Sequence, residues 1–184
     1  MRVCLALWLL ALSSAALADA TVPICHAYGC QVQESIVYSD DRLDELARRL
    51  NVAVDAENER KILAEVIGQL YAWAGEQSDI RHDRGGNYAD AGLPGKMDCI
   101  DHSTSTTRLL KLLESRGGLR WHRVIEIDVR NFAFIIPAHW SAVIEEKIDG
   151  AGARYVVDSW FVDNGKPAVI LPLGEWKKGA GPDV

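Results

Sequence analysis

The sequence predicts an α+β fold in which N-terminal helices are followed by an antiparallel sheet. Between residues 39 and 116, apolar side chains recur in several segments with the helical period of about 3.6 residues. After Gly118 the period falls to about two, which is typical of strands with one buried face. Turn residues divide this second region into short segments, as expected for strands joined by hairpins.

The first residues, MRVCLALWLLALSSAALADA, have the pattern of a secretory signal peptide. Arg2 precedes an apolar run over residues 3–12, and small residues follow. We expect cleavage after Ala18, with Ala20 as the second choice. The apolar run is too short to remain as a membrane anchor. The sequence therefore predicts an exported protein, periplasmic or secreted, with one mature domain over residues 19–184.

The charge of the chain argues against two classes of partner. The sequence has 20 basic and 26 acidic residues, a formal charge of −6. Among charged residues, removal of residues 1–18 takes away only Arg2, so the mature chain has a formal charge of −7. A chain with this excess of carboxylates is not suited to nucleic acid or to anionic lipid surfaces.

The mature chain has three cysteines, Cys25, Cys30 and Cys99. The CHAYGC stretch can fold back at its glycine, which favours a local disulfide between Cys25 and Cys30. The alternative is a metal or redox site with His26 as a third ligand. Structural zinc sites usually have four ligands, and no second Cys or His pair has matching spacing. We therefore expect no metal and no cofactor, and a free thiol at Cys99.

Three helices are predicted before the sheet. The first covers residues 39–50, with acidic residues early and basic residues late, an order that complements the helix dipole. The second covers residues 56–74 and is expected to end at Gly75. The third begins at Cys99, preceded by a capping aspartate. The residues expected to form the buried faces are Leu43, Leu46, Ala47, Leu50, Leu63, Val66, Ile67, Leu70, Ala74, Ile100, Thr104, Thr107, Leu110 and Leu113.

Residues 76–97 form a long polar segment between the second and third helices. The segment is rich in Gly and Asp and has no apolar period. Long loops within a compact domain are often functional. This loop leads directly to Cys99, so we expect it to lie near any site that uses the thiol.

Five strands are predicted after Gly118, with turn residues between them. The expected separators are Asn131, Pro137, the pair Asp149 and Gly150, and the pair Asn164 and Gly165. The strand segments are LRWHRVIEIDV, FAFII, HWSAVIEEKI, ARYVVDSWF and AVILPL.

Cys99 is the candidate nucleophile of the chain. A thiol reacts as its thiolate, and a helix N-terminus favours that ionised form. Asp98, a capping residue, and Asp101, three positions later, oppose ionisation through their negative charge. A basic partner is therefore needed. The alternative is a buried structural thiol, but the polar neighbours of Cys99 favour the nucleophile.

His139 is the candidate base, because its position also predicts an acidic partner. If Asp149 and Gly150 form a two-residue turn, Ser141 lies opposite Asp158. His139 shares a strand face with Ser141, so it becomes the diagonal neighbour of Asp158. The other histidines of the mature chain are expected to be solvated or capping residues; they are His26, His82, His102 and His122.

These residues together predict a Cys, His, Asp triad. Asp158 would orient His139, which would act first as base and then as acid. Cys99 would attack a carbonyl carbon and form a thioester.

The oxyanion of such a reaction needs hydrogen-bond donors, and the Cys99 backbone N–H is one candidate. Asn87, Gln77 and Trp140 are candidates for the second donor. Trp140 and Trp160 are expected in the core. Alternatively, with Asn87, they contact the substrate in a cleft beside the triad.

The order of these motifs along the chain resembles the papain-like superfamily, in its transglutaminase-like branch. The matching stretches are MDCIDHSTSTTRLLKLL, AHWSAVIEE and YVVDSWF. In that family the helix that carries the nucleophile packs on an antiparallel sheet that supplies His and Asp. The resemblance assigns those roles to Cys99, His139 and Asp158. The chain is also similar to a group of exported proteobacterial proteins of uncharacterised function, in CHAYGC, PGKMDCIDHSTSTT, WHRV and VDSWFVDNG.

The resemblance implies a cysteine hydrolase or acyltransferase that acts on an amide. An exported enzyme of this kind would meet peptides, envelope proteins or peptidoglycan as substrates. Inactive relatives also occur in the superfamily, so the alternative is a catalytically silent periplasmic binding module of the same fold.

Overall fold

The computed structural model describes residues 18–87, 89–132, 136–148 and 150–182. It confirms an α+β fold, with four α-helices and two antiparallel sheets among those residues. The predicted signal peptide, apart from Ala18, lies outside them. In chain order the elements are β1 (Ala20–His26), β2 (Val32–Tyr38), α1 (Asp40–Asn51), α2 (Ala56–Gln77), a short 3-10 helix (Asp79–His82), α3 (Cys99–Ser115), β3 (His122–Phe132), β4 (Ile136–Glu146), β5 (Arg154–Asp158), β6 (Val169–Pro172) and α4 (Leu173–Lys177).

The expectation that the helices come first is wrong, because a two-stranded hairpin precedes them. β1 and β2 pair antiparallel, with Val22 opposite Ile36. Val22, Ile24, Ile36 and Tyr38 are buried, which is the alternation expected of strands with one face on the core. The CHAYGC stretch is the end of β1 and the turn of this hairpin. Each strand has only seven residues, so the period of two is too short to stand out in the sequence.

Helices α1 and α2 form where they are predicted, but α2 does not end at Gly75. The helix continues to Gln77. A Cβ on Gly75 would lie 2.7 Å from Asn164 Oδ1 and 3.2 Å from the Cα of Arg81. The glycine therefore allows the loop at Asn164 and the short 3-10 helix at Arg81 to approach α2 closely, and it is not a C-terminal stop.

Helix α3 begins with the predicted cap. The Asp98 carboxylate accepts hydrogen bonds from the backbone N–H groups of Ile100 and Asp101, at 3.0 and 2.9 Å. In return the Asp101 carboxylate accepts from the Asp98 N–H at 3.1 Å, which completes a capping box. Cys99 is therefore the first residue of a helix whose start is held by both neighbouring aspartates.

The main sheet has the order β3, β4, β5, β6, and every neighbouring pair is antiparallel. Asn131 and Pro137 lie inside β3 and β4 and do not separate strands as predicted. Of the predicted FAFII strand, Phe132 ends β3 and Ile136 begins β4, and residues 133–135 lie outside the described part. The two strands pair from His122 opposite Glu146 to Phe132 opposite Ile136, with a register shift between Arg130 and Phe132.

The register of β4 on β5 is the one that a two-residue turn predicts. Ala142 lies opposite Val157 and Ile144 lies opposite Tyr155. Asp149 lies outside the described residues. The pairing leaves the side chains of His139 and Asp158 on the same face of the sheet.

The two faces of the sheet pack into different apolar clusters. The main core contains Ala142, Ile144 and Val157 together with residues of α1, α2 and α3. The other face forms a second cluster, which Cys99 borders; its buried members are Val143, Val156, Trp160, Phe161 and Trp176. Across the described ranges, none of the helices has the length and apolar character needed to cross a membrane.

Candidate active site

His139 and Asp158 form a buried hydrogen-bonded pair. His139 lies in β4 and Asp158 is the last residue of β5. The His139 Nε2 atom lies 2.7 Å from Asp158 Oδ2, and the two residues are only 4% and 2% exposed. Since a carboxylate accepts hydrogen bonds, the Nε2 atom carries the ring proton and donates it to Asp158.

Two further donors hold the Asp158 carboxylate. The Trp176 Nε1–H donates to Oδ2 at 3.0 Å, and the Trp160 backbone N–H donates to Oδ1 at 3.2 Å. Trp176 comes from α4, the last helix of the chain, and is fully buried. The carboxylate is therefore fixed in one orientation by donors on both of its oxygens.

Aromatic rings surround the His139 imidazole. Its centroid lies 4.8 Å from the Trp160 ring, 5.4 Å from the Phe161 ring and 5.7 Å from the Trp176 ring. These rings exclude water from the bond between His139 and Asp158. In such a setting the electrostatic part of a hydrogen bond is stronger than it is in water.

The Nδ1 atom of His139 has no hydrogen-bond partner among the described residues, although it is buried. Buried polar atoms without partners are rare, so each calls for an explanation. With the proton on Nε2, Nδ1 carries a lone pair. A free lone pair on an oriented imidazole can accept a proton from a neighbouring group.

The Cys99 thiol lies beside the backbone of β4 on both sides of His139. Its Sγ atom donates to the Ala138 carbonyl oxygen at 3.8 Å. Burial raises the pKa of this thiol, and the charges of Asp98 and Asp158 raise it further. Hydrogen bonding to the backbone N–H groups of Trp140 and of Cys99 itself acts in the opposite direction. The helix start therefore does not lower the pKa of Cys99, and a reaction through the thiolate would need a base.

The structure places the three residues of the predicted triad in one region but joins only two of them. His139 and Asp158 are in hydrogen-bond contact. Cys99 is a free cysteine, bordering the aromatic cluster around His139. In the described part of the chain, no hydrogen bond links its Sγ to His139 Nδ1.

The predicted disulfide between Cys25 and Cys30 is confirmed. The residues of its loop, Ala27, Tyr28, Gly29 and Cys30, all have positive φ. Successive residues of this kind direct their backbone N–H groups to one side, where they can bind an anion.

Here the anions are the two aspartates that flank Cys99. The N–H groups of Tyr28 and Cys30 donate to the Asp101 carboxylate at 2.8 and 2.6 Å. The Gly29 N–H donates to Asp98 at 2.9 Å. Burial raises the pKa of Asp101 to about 6, while the backbone donors act to lower it. The disulfide loop thus holds the start of α3.

The metal reading of CHAYGC is wrong, because the two sulfurs are bonded to each other. The ligand atoms of Cys25, Cys30 and Asp101 lie within 4.8 Å of one another, but disulfide sulfurs are not thiolate ligands. His26 instead lies 3.6 Å from Glu34, across the hairpin.

The other predicted site residues have different surroundings. Asn87 donates from Nδ2 to Asp90 at 2.7 Å, so its amide is engaged within the long loop. Gln77 lies at the end of α2 and bonds the backbone of Val37, so it is not a donor to this site. Trp160 is buried in the aromatic cluster, as expected for the core. Trp140 reaches the thiol through its backbone N–H.

Two histidines expected to be solvated or capping are buried in polar networks. The His102 ring bonds Asp83 at 2.9 Å and Ser159 at 2.8 Å. The His122 ring bonds the fully buried Glu59 at 2.7 Å. Their acidic partners lie 19 and 63 positions away in the sequence, so no local pattern pointed to them.

Two surface clefts of about 320 and 330 Å³ lie at other places on the fold. One is lined by residues of α2, β5 and β6, and the other by residues of β3, β4, β5 and α4. Neither is lined by Cys99, His139 or Asp158. Cavity size alone therefore does not locate the candidate chemistry, which rests on the hydrogen-bonded pair and the thiol.

Comparison of the chain with protein-family models, with curated proteins and with solved structures found no match.

Proposed function

We propose that the protein is an exported cysteine hydrolase or acyltransferase that acts on an amide. Cys99 is the nucleophile, His139 the general base and acid, and Asp158 the group that orients the imidazole. The observation that carries this proposal is the buried His139–Asp158 pair, whose Nδ1 atom has no partner among the described residues, together with the contact of the Cys99 thiol with Ala138, the residue before His139.

The proposed reaction begins with a neutral thiol, since the pKa of Cys99 is raised. As Sγ attacks the carbonyl carbon of the amide, its proton passes to His139 Nδ1. The imidazolium that forms is stabilised by the Asp158 carboxylate through Nε2. The tetrahedral intermediate then breaks its C–N bond, the amine leaves with the proton from Nδ1, and a thioester remains on Cys99. Water or an acceptor amine attacks the thioester and restores the thiol.

The developing oxyanion has two candidate donors. The backbone N–H groups of Cys99 and Trp140 both lie close enough to the sulfur to influence its pKa. An oxygen on the carbon that sulfur attacks would lie within reach of the same groups. The backbone N–H of Trp140, rather than its indole, is therefore the proposed second donor.

The resemblance to the papain-like and transglutaminase-like superfamily supports this assignment of roles. The nucleophile begins a helix, and the histidine and aspartate follow on antiparallel strands. The disulfide between Cys25 and Cys30 is in keeping with an exported protein, since such bonds persist in oxidising compartments. The proposed substrates are amides available there, in peptides, envelope proteins or peptidoglycan.

One observation favours a second candidate, a silent binding module. The Cys99 thiol donates to the Ala138 carbonyl and not to His139 Nδ1, and its pKa is raised. A protein that only holds a peptide in this region would need neither proton transfer nor a thiolate.

Alkylation of Cys99 by iodoacetamide near neutral pH distinguishes the two functions. The mature protein is used with its disulfide intact, so that Cys99 is the one free thiol. Because His139 is the proposed base, we expect His139→Ala to slow alkylation at least about tenfold. His82→Ala, which removes an exposed histidine outside the site, is the matched control and should label at the wild-type rate.

Equal, slow labelling of wild type and His139→Ala would exclude the enzyme and support the binding module. For an enzyme, a p-nitrophenyl ester should also acylate Cys99, as a mass increase lost in Cys99→Ser. Release of that acyl group to water or to an added amine then distinguishes a hydrolase from an acyltransferase.

A further inference from the structure

A buried hydrogen bond connects the helix of Cys99 with the strand end of Asp158. His102 lies on α3, three positions after Cys99, and Ser159 directly follows Asp158. The His102 Nδ1 atom is 2.8 Å from Ser159 Oγ, and both residues are buried. We call this contact the His102–Ser159 clamp.

Both ends of the clamp are held by further contacts. His102 Nε2 lies 2.9 Å from Asp83 Oδ2, and the other oxygen of Asp83 accepts the Met97 backbone N–H at 2.9 Å. Asp83 therefore fixes the imidazole and also the segment that enters α3. This orientation makes His102 a rigid partner for Ser159.

The Ser159 hydroxyl also meets a second residue of α3. Its Oγ lies 2.9 Å from Thr106 Oγ1, and Thr106 in turn lies 2.9 Å from the Tyr71 hydroxyl. Ser159 thus contacts two successive turns of the helix, at His102 and at Thr106. The contact ties the end of β5 to α3 at more than one point.

The arrangement of Ser159, His102 and Asp83 is not a second catalytic site. Asp83, His102 and Ser159 are only 2%, 4% and 4% exposed, and the Ser159 hydroxyl already contacts His102 and Thr106. No carbonyl group of a substrate could reach Ser159 there. The network must act through the residues that it holds.

We propose that His102 and Ser159 are positioning residues that set the distance between Cys99 and the His139–Asp158 pair; this inference rests on the proposed function. The nucleophile and its base come from different elements, α3 and β4, and the orienting carboxylate from the end of β5. A misplacement of about 1 Å between reacting groups can slow a reaction about a hundredfold. The clamp joins α3, three positions after Cys99, to the residue that directly follows Asp158 at the end of β5.

The variant Ser159→Ala tests the clamp, with Ser103→Ala as the matched control. Ser103 is also a buried serine near the start of α3, but among the described residues its hydroxyl donates only to the Ile100 carbonyl of the same helix, at 3.2 Å. The rate of Cys99 alkylation is measured for both variants, in the wild-type and His139→Ala backgrounds.

We expect Ser159→Ala to slow alkylation about tenfold when His139 is present and less than twofold when His139 is absent. Ser103→Ala should leave both rates unchanged. Equal slowing by Ser159→Ala in the two backgrounds would indicate a general structural effect and would overturn the positioning role. An unchanged rate in the wild-type background would overturn it as well.

Amide hydrogen exchange tests the clamp independently of His139. In Ser159→Ala, we expect residues 99–102 and 158–160 to lose protection together, whereas Ser103→Ala should not affect the second segment. Loss of protection at 158–160 alone would overturn the clamp. If both segments loosen but wild-type labelling does not depend on His139, the clamp stands as a structural link and the proposed enzyme fails.

Discussion

Removal of the Cys25–Cys30 disulfide should destabilise the protein by an amount that follows from the length of its loop. The two cysteines are five positions apart, and closing a loop of this length costs the unfolded chain about 2 kcal/mol of conformational entropy. Without the bond, the unfolded state of a Cys25→Ser/Cys30→Ser variant gains that entropy. The free energy of unfolding should therefore fall by about 2 kcal/mol.

The folded state adds a second reason for this loss. Three residues of the loop other than glycine have φ values between 57° and 68°; they are Ala27, Tyr28 and Cys30. Such conformations cost about 1–2 kcal/mol each and persist only where surrounding contacts hold them. Once the disulfide is absent, the hydrogen bonds to Asp98 and Asp101 alone must hold the loop.

Urea unfolding followed by tryptophan fluorescence measures the effect. With a denaturant slope of about 2 kcal/mol/M, the midpoint of the double variant should fall by about 1 M. Cys99→Ser serves as the control, because it replaces a cysteine that closes no loop. A midpoint within about 0.2 M of wild type, or an equal loss in Cys99→Ser, would refute the reasoning.

Four further predictions concern burial and ionisation. Glu59→Ala should lower the free energy of unfolding by about 3–5 kcal/mol, because a buried histidine and two backbone N–H groups lose their acceptor. Urea unfolding measures this loss, and a loss below about 1 kcal/mol would contradict the prediction. Burial raises the pKa of Glu59, but its hydrogen bonds hold the net pKa below the usual value. Wild type should therefore be more stable than Glu59→Gln above about pH 4.3. This difference in the free energy of unfolding should disappear as the pH falls through the lower folded-state pKa. Gly68→Ala should destabilise the protein by about 1–3 kcal/mol, because the new Cβ would lie 2.6 Å from the Lys166 carbonyl oxygen. This effect should exceed the gain from the better helix propensity of alanine. Thermal unfolding measures it, and an unchanged melting temperature would show that the loop can move away. In the His139→Ala variant, the rate of Cys99 alkylation should rise about tenfold per pH unit between about pH 7 and 9, because the pKa of the thiol is raised. A rate that levels off below about pH 8 would contradict this, since it would show that the thiol is already ionised there.

Several parts of the fold follow from patterns between neighbours in the sequence. The cap of α3 depends on Asp98 and Asp101, three positions apart, and it forms as predicted. The register of β4 on β5 is the one that a turn at residues 149 and 150 predicts, and it brings His139 and Asp158 to one face. The hydrogen bond between those two side chains is 2.7 Å long. Their catalytic role stays a prediction.

Patterns over a few residues were less reliable where contacts from elsewhere in the chain decide the structure. Gly75 has the sequence signature of a helix end, yet α2 passes through it, and the glycine instead leaves room for Asn164 to pack closely there. The first hairpin was missed because its strands are short. Its role at the site could not be foreseen either, since Tyr28 and Cys30 bond an aspartate more than 70 positions later.

By itself, the sequence determined the cap of α3, the pairing of β4 with β5 and the closure of the Cys25–Cys30 loop. Hydrogen bonding and chain geometry over short separations are sufficient for each of them. Only the tertiary structure decided that the Cys99 thiol is partly buried with a raised pKa, and that His102 bonds Ser159 across two elements. Burial and long-range contacts arise when distant segments pack together, and no short stretch of sequence contains that information.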